Sequence, residues 1–254
     1  MRQATALSLI SVVIPTLNEA DHIAGAIASA SGGRNVEIIV SDGGSDDGTV
    51  EAAQRAGARV VSSPRGRARQ MNAGALAARG EMLLFLHADT RLPQWFDEHI
   101  RPILGRPGVV AGAFAFSIDS PRPALRVIER LANLRAKRAK MPYGDQAIFL
   151  RAEVFDKLGG FPDMPIMEDL ELVRRLRRLG QIVIAPAAAV TSGRRWSHLG
   201  PLRTTLINQV VIAGYYLGVS PARLAGWYRT KSNNTPHRTL AGEHAGEQQS
   251  ARVC

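Results

Sequence analysis

The chain has 254 residues, 45% of them hydrophobic, and a formal net charge of +10, so it can bury a large core as one α/β domain while its surface attracts polyanions. Its single cysteine, Cys254, excludes an internal disulfide framework and argues for a reducing compartment, the cytoplasm being the simplest assignment. No stretch reaches the length of a membrane span, and no helix-turn-helix, zinc-finger or RNA-binding aromatic pattern is present, so nucleic acid is not an expected partner.

Residues 9–14 read as a first strand rather than a signal peptide, and they run into Pro15-Thr16-Leu17-Asn18-Glu19. A helix is expected over 20–30, closed near Gly32-Gly33, and then a strand over 36–40 that stops at Ser41-Asp42-Gly43-Gly44-Ser45-Asp46-Asp47-Gly48. A helix over 46–56, a short strand over 59–61, a helix over 70–78 and a buried strand over 82–86 follow, the last ending at His87-Ala88-Asp89-Thr90. Strands alternating with helices of this length imply βαβ units and a parallel sheet. Further on, residues 109–118 alternate as a strand, 122–140 form a basic amphipathic helix with Leu125, Ile128, Leu131 and Ala132 on one face, and 146–150 return to the sheet. A helix over 169–179 ends at Gly180 before a strand over 182–184. The expected organisation is a catalytic domain over 1–200, a helical appendage over 201–230 and a disordered tail over 231–254. The best apolar run, 206–219, is interrupted by Asn208 and Gln209, so it reads as a buried or interfacial helix.

In an open parallel sheet, ligands bind outside the carboxyl ends of the strands, which brings these polar clusters to one crevice. Asp42, followed by two glycines that allow close backbone approach, can accept hydrogen bonds from a nucleobase or sugar, or can cap its own turn. His87 and Asp89, two apart on extended chain, share a face and can point at one cation. Asp89 suits magnesium or manganese, and His87 is the less usual ligand. Asp169 falls in line with Leu172, Val173, Leu176 and Leu179, so it points toward the protein body while Arg174 and Arg178 face away. A partly desolvated carboxylate there is a good general base. Arg67 and Arg69 in one basic loop, and Arg194-Arg195-Trp196 with His198 in another, are candidates for holding phosphate.

Together the motifs Val13-Ile14-Pro15-Thr16-Leu17-Asn18-Glu19, Ser41-Asp42-Gly43-Gly44-Ser45-Asp46-Asp47-Gly48-Thr49, His87-Ala88-Asp89 and Glu168-Asp169 resemble the nucleotide-sugar-dependent glycosyltransferases of family 2, which have a GT-A fold. The resemblance covers about residues 9–200. It implies that Pro15, Thr16, Glu19 and Asp42 bind the donor nucleotide, that Asp89 holds a Mg2+ or Mn2+ ion, and that Asp169 is the catalytic base of an inverting transfer to a hydroxyl acceptor; the multi-span region and full Gln-x-x-Arg-Trp motif of processive synthases are not seen, so transfer of a single sugar is expected. Gly66-Arg67-Ala68-Arg69-Gln70-Met71-Asn72, Leu86-His87-Ala88-Asp89-Thr90 and Gly144-Asp145-Gln146 are similar to a bacterial subgroup named for its association with radical-SAM and selenium-domain proteins or arsenosugar biosynthesis. Within that resemblance Asp145 and Gln146 line the sugar or acceptor pocket. The usual Asp-x-Asp motif reads His87-Ala88-Asp89 here, which removes one carboxylate. A sugar-nucleotide pyrophosphorylase and a dinucleotide oxidoreductase fit less well, since neither Gly-rich signature follows the first strand. A non-catalytic sugar-nucleotide sensor or membrane-docked scaffold is the reading that the altered metal motif leaves open. The basic helix and the apolar, aromatic segment 202–227 suit an anionic membrane surface, plain core packing or a homodimer face equally.

Overall fold

A computed structural model describes residues 7–232, so most of the tail expected over 231–254 lies outside the described residues. The chain runs β1 (Ile10–Thr16), α1 (Ala20–Ser31), β2 (Val36–Asp42), α2 (Thr49–Arg55), β3 (Arg59–Ser62), α3 (Arg67–Leu76), β4 (Met82–Phe85), β5 (Thr90–Arg91) and α4 (Phe96–Leu104). It continues through β6 (Val109–Asp119), α5 (Pro123–Ala139), a 3-10 turn (Gly144–Gln146), β7 (Phe149–Arg151), α6 (Ala152–Lys157), α7 (Glu168–Leu179), β8 (Gln181–Ser192), α8 (Arg194–Leu199), α9 (Pro201–Tyr216) and α10 (Pro221–Ser232).

The strands form one sheet in the order β3-β2-β1-β4-β7-β6-β8-β5. The first four are mutually parallel; β7 is antiparallel to β4 and β6, and β6 returns parallel to β8. Every residue of β1 is buried, as a strand covered on both faces requires. Period-2 alternation divides its side chains: Ile10, Val12 and Ile14 join the core beneath α1 and α4, and Val13 joins the core beneath α3 and α7. In β4, Met82 and Leu84 take the first face, and Leu83 and Phe85 the second. Helix α1 buries Ile23, Ala26, Ile27 and Ala30, the i, i+3, i+4, i+7 pattern of one helical face. Close packing of α3 on β1 needs Gly74, where a Cβ would stand 2.3 Å from Val13 Cγ1.

Several expected boundaries move. The strand expected from residue 146 starts at Phe149, because Gly144–Gln146 turns as a 3-10 helix. The strand expected over 182–184 extends to Ser192, since β6 offers it a partner along nearly its whole length. Leu131, expected on the inner face of α5, is 61% exposed, and the buried line is Leu125, Glu129 and Ala136. Glu129 turns inward because its carboxylate accepts the Ile118 N–H and the Ser117 hydroxyl at the end of β6. Helices α9 and α10 fold back on the loop before α7, burying Ile207, Val211, Leu224 and Ala225 against Ile166, Met167 and Leu170.

Candidate active site

The carboxyl ends of β1, β2 and β4 open on a crevice of about 1040 Å3. Pro15, Thr16, Glu19, Arg67, His87, Asp89, Asp145 and Asp169 all line it, so Pro15 and Asp169, 154 positions apart in sequence, meet there.

Parallel register sets Thr16 opposite Asp42. Asp42 is buried and does not reach the crevice wall; its carboxylate accepts the N–H groups of Gly44 and Ser45, both at 2.9 Å, and the hydroxyls of Ser45 and Thr16. Burial opposes its charge, but the bonds from Ser45, Gly44 and Thr16 outweigh burial and hold its carboxyl below the usual range. Asp42 therefore fixes the shape of the turn behind Thr16. Buried Gln70 pins the same strand ends, its amide donating to the carbonyls of Thr16 and Ser41.

At the end of β4, burial foremost, helped by the nearby Arg67 charge, pulls the His87 imidazole down to about 4, so it is neutral near pH 7. Asp89 faces Arg194, whose Nη2 lies 3.6 Å from Asp89 Oδ2 and 2.7 Å from both oxygens of Glu19. Among the described residues no group of three or more His, Cys, Asp or Glu converges as a metal cage. One carboxylate beside a neutral imidazole does fit a hard divalent ion whose other positions are filled by diphosphate oxygens and water, the usual manner of Mg2+ binding.

The far side of the crevice is acidic. Met167 takes a left-handed backbone (φ 71°), an uncommon conformation for a bulky residue, and α7 starts directly after it. Glu168 is fully buried against the Arg67 guanidinium, and burial raises its carboxyl. Asp169 sits at the crevice: Oδ2 accepts the Gly144 N–H at 2.7 Å and Oδ1 the Leu170 N–H at 2.8 Å. A Cβ at 144 would press on both groups, coming 2.9 Å from His87 Nε2 and 3.1 Å from Asp169 Oδ2, so a larger residue there would displace them. Asp145 lies beside these groups, and burial foremost pushes its carboxyl up to about 6 despite the opposing charge of Arg135. Arg135 itself stacks 3.5 Å over the ring of Tyr143, another crevice residue.

Like Asp42, a second expected site residue is placed behind the crevice. Gln146 is fully buried behind the crevice, with its amide donating to the Phe114 carbonyl at 2.9 Å and its oxygen accepting the Tyr143 N–H at 3.2 Å. The reason is a register shift of β6 between Ala113 and Ala115, for which Gln146 supplies a hydrogen-bond partner at Phe114. Of the basic residues, Arg69 is engaged by Asp163, with Nη2 to Oδ2 at 2.8 Å. Sequence reasoning does not assign the apolar wall: Met164, Ile166, Met167 and Leu170 before and in α7, with Trp196, Val211, Ile212 and Tyr228 from α8, α9 and α10. Its only signal is the apolar run after residue 201, which reads equally as core.

The sequence pattern of Glycosyl transferase family 2 matches residues 11–160, more than half of the chain. The chain belongs to glycosyl transferase family 2. Among curated proteins, this family 2 chain is 26% identical over 173 residues to Glycosyltransferase AglE of Haloferax volcanii, covering 62% of this chain and spanning 57% of that relative. Among solved structures it resembles the mannosyltransferase PcManGT from Pyrobaculum calidifontis (TM-score 0.63, 22% identity, 89% of this chain and 70% of that one). It also resembles glucosyl-3-phosphoglycerate synthase from Mycobacterium tuberculosis (TM-score 0.56, 22% identity, 91% and 80%). These likenesses show the fold, which is the GT-A fold expected from the sequence.

Proposed function

We propose that this family 2 chain transfers a single sugar from a nucleoside-diphosphate sugar, a UDP-sugar being favoured, to a hydroxyl of a small-molecule or lipid-like acceptor, with inversion at the anomeric carbon. The observation that carries this reading is that Asp169 faces the same crevice as the 15–19 segment and Asp89. Two main-chain N–H groups hold the Asp169 carboxylate in place and leave each oxygen a further lone pair for an incoming hydroxyl. In the proposed step the acceptor oxygen attacks the anomeric carbon, its proton passes to Asp169, and the bond from that carbon to the diphosphate oxygen breaks. Pro15, Thr16 and Glu19 flank the nucleotide, on the turn that Asp42 shapes. Arg194 supplies positive charge to the departing diphosphate, and Arg67 anchors Glu168 at the base of α7. A divalent ion held by Asp89, with neutral His87 beside it, supplies Lewis acidity to the diphosphate oxygens when bound. Asp145 borders the sugar and acceptor space. The related mannosyltransferase was solved with GDP-Man and Mn2+, and the synthase with Mn2+ and UDP-Glc, which supports the same ligand classes here. The similarity of the 66–72, 86–90 and 144–146 segments supports placing the chain in the radical-SAM and selenium-domain-associated, arsenosugar-type subgroup.

The test is the melting temperature with UDP, GDP, CDP or ADP, each with and without Mn2+. Selective stabilisation by one nucleotide that requires the metal is the expected result and selects the donors to assay. No shift with any of them overturns the reading. A shift without turnover favours a sugar-nucleotide sensor, which the single carboxylate at 87–89 makes the second reading.

A further inference from the structure

We propose that the outer face of α5 and α9 docks on an anionic lipid bilayer, so that the acceptor entering the crevice is carried by the membrane. Helix α9 spends one face on the core, burying Thr204, Ile207, Val211 and Gly214. A second face turns Leu202 (87% exposed), Leu206 (65%) and Val210 to solvent, at a spacing of four, and Leu217 follows just beyond its end. Helix α5 lies beside it and shows the same pattern: Val127, Leu131 and Leu134 are exposed while Leu125 and Ala136 are buried. Scattered exposed leucines are ordinary, but two neighbouring helices that each present an ordered apolar stripe are not.

Charge selects the occupant. The same two helices expose Arg130, Lys137 and Arg138 of α5 and Arg203 of α9. The one acidic residue of the two helices, Glu129, is buried, hydrogen-bonded to β6 and paired with Arg126. No Asp or Glu occurs anywhere from 172 to 242. A second copy of the chain would set like charges against each other across such a face, whereas anionic headgroups complement the arginines and lysines as the leucines enter the acyl boundary. The same helix supplies a route inward, because α9 also contributes Val211 and Ile212 to the apolar wall of the crevice. The lipid-borne acceptor rests on the glycosyl-transfer reading above; the docking itself does not.

Flotation of the full chain with vesicles of phosphatidylcholine alone, or of phosphatidylcholine mixed with phosphatidylglycerol, tests the proposal without any nucleotide present. Binding to the mixed vesicles alone is expected, with release at about 1 M salt, where the screening length falls to about 3 Å. The double variant Leu202→Glu, Leu206→Glu alters two exposed side chains and should lose partitioning at least roughly tenfold while keeping the wild-type melting temperature and nucleotide response. Absence of wild-type binding, or equal binding by the folded variant, overturns the proposal. A light-scattering dimer that the variant converts to monomer, with no vesicle binding by either, overturns it in favour of self-association. Docking that persists in a chain without nucleotide response would sink the glycosyl-transfer reading and leave the surface standing.

Discussion

Replacing Asp145 by asparagine should stabilise the protein at neutral and alkaline pH and do nothing in acid. The carboxyl of Asp145 is held at about 6, chiefly by burial, against an ordinary value of 3.8. A carboxyl raised on folding binds its proton more tightly in the native state, so its favourable contribution is complete below about 3.8 and is lost as pH rises through about 6. A difference of roughly two units corresponds to about 3 kcal/mol at 1.36 kcal/mol per unit, an upper value because the side chain borders an open crevice that partly screens it. The asparagine side chain has no charge to bury and nearly the same shape as aspartate. At pH 8 the Asp145→Asn variant should therefore be more stable by about 1.5 to 3 kcal/mol, which for a chain of this size raises the melting temperature by roughly 3 to 12 °C. The assay is thermal unfolding of both proteins across the pH range from acid to pH 8. A melting-temperature difference that stays constant across that range, or a variant less stable than wild type at pH 8, would refute the assignment of a desolvated carboxylate at this position.

The other predictions concern neighbouring groups. Asp169→Asn should leave nucleotide-induced stabilisation intact while lowering turnover by roughly 10²- to 10⁴-fold, and undiminished turnover would remove Asp169 from the proton transfer. Gln146→Leu should cost about 1 to 3 kcal/mol in denaturant unfolding by stranding the Phe114 carbonyl and the Tyr143 N–H, whereas unchanged stability with weakened donor binding would return Gln146 to the pocket. In NMR titration the His87 ring should change protonation near pH 4 in the nucleotide-free protein, and a midpoint in the ordinary histidine range would show that burial and Arg67 do not act on it as described.

Legibility follows the range of the interactions. The alternation of strand and helix up to Phe85 is readable because each element is specified by its own apolar period and closed by its own turn, as with the buried Ile23, Ala26, Ile27 and Ala30 of α1. Helical phase alone puts Asp169 on the crevice side, where it lies. Phase places Leu125, Ile128 and Ala132 of α5 against the core but misplaces Leu131, which is exposed, and does not foresee Glu129 turning inward to bond β6. Gln146 is misplaced by sequence for a similar reason: its neighbour Asp145 lines the crevice, but an irregularity of β6 more than thirty residues away claims its amide. The split role of Asp42, near the crevice in sequence and behind Thr16 in space, is set by cross-strand register, which no local pattern encodes.

The bonds that close the crevice join distant points of the chain. Arg67 reaches Glu168 across 101 positions, Arg69 reaches Asp163 across 94, and Arg194 reaches Glu19 across 175, whereas β1, β2 and β4 assemble from a span under 80 residues. Contacts of such separation carry a larger loop-closure cost than the pairings within β1, β2 and β4. The parallel sheet of β1, β2 and β4 is therefore expected to form before the site, an order that pulse-labelling hydrogen exchange during refolding checks. The rim, whose Arg69–Asp163 and Arg194–Glu19 links lie toward solvent, is expected to exchange its amide hydrogens before the fully buried β1 and β4.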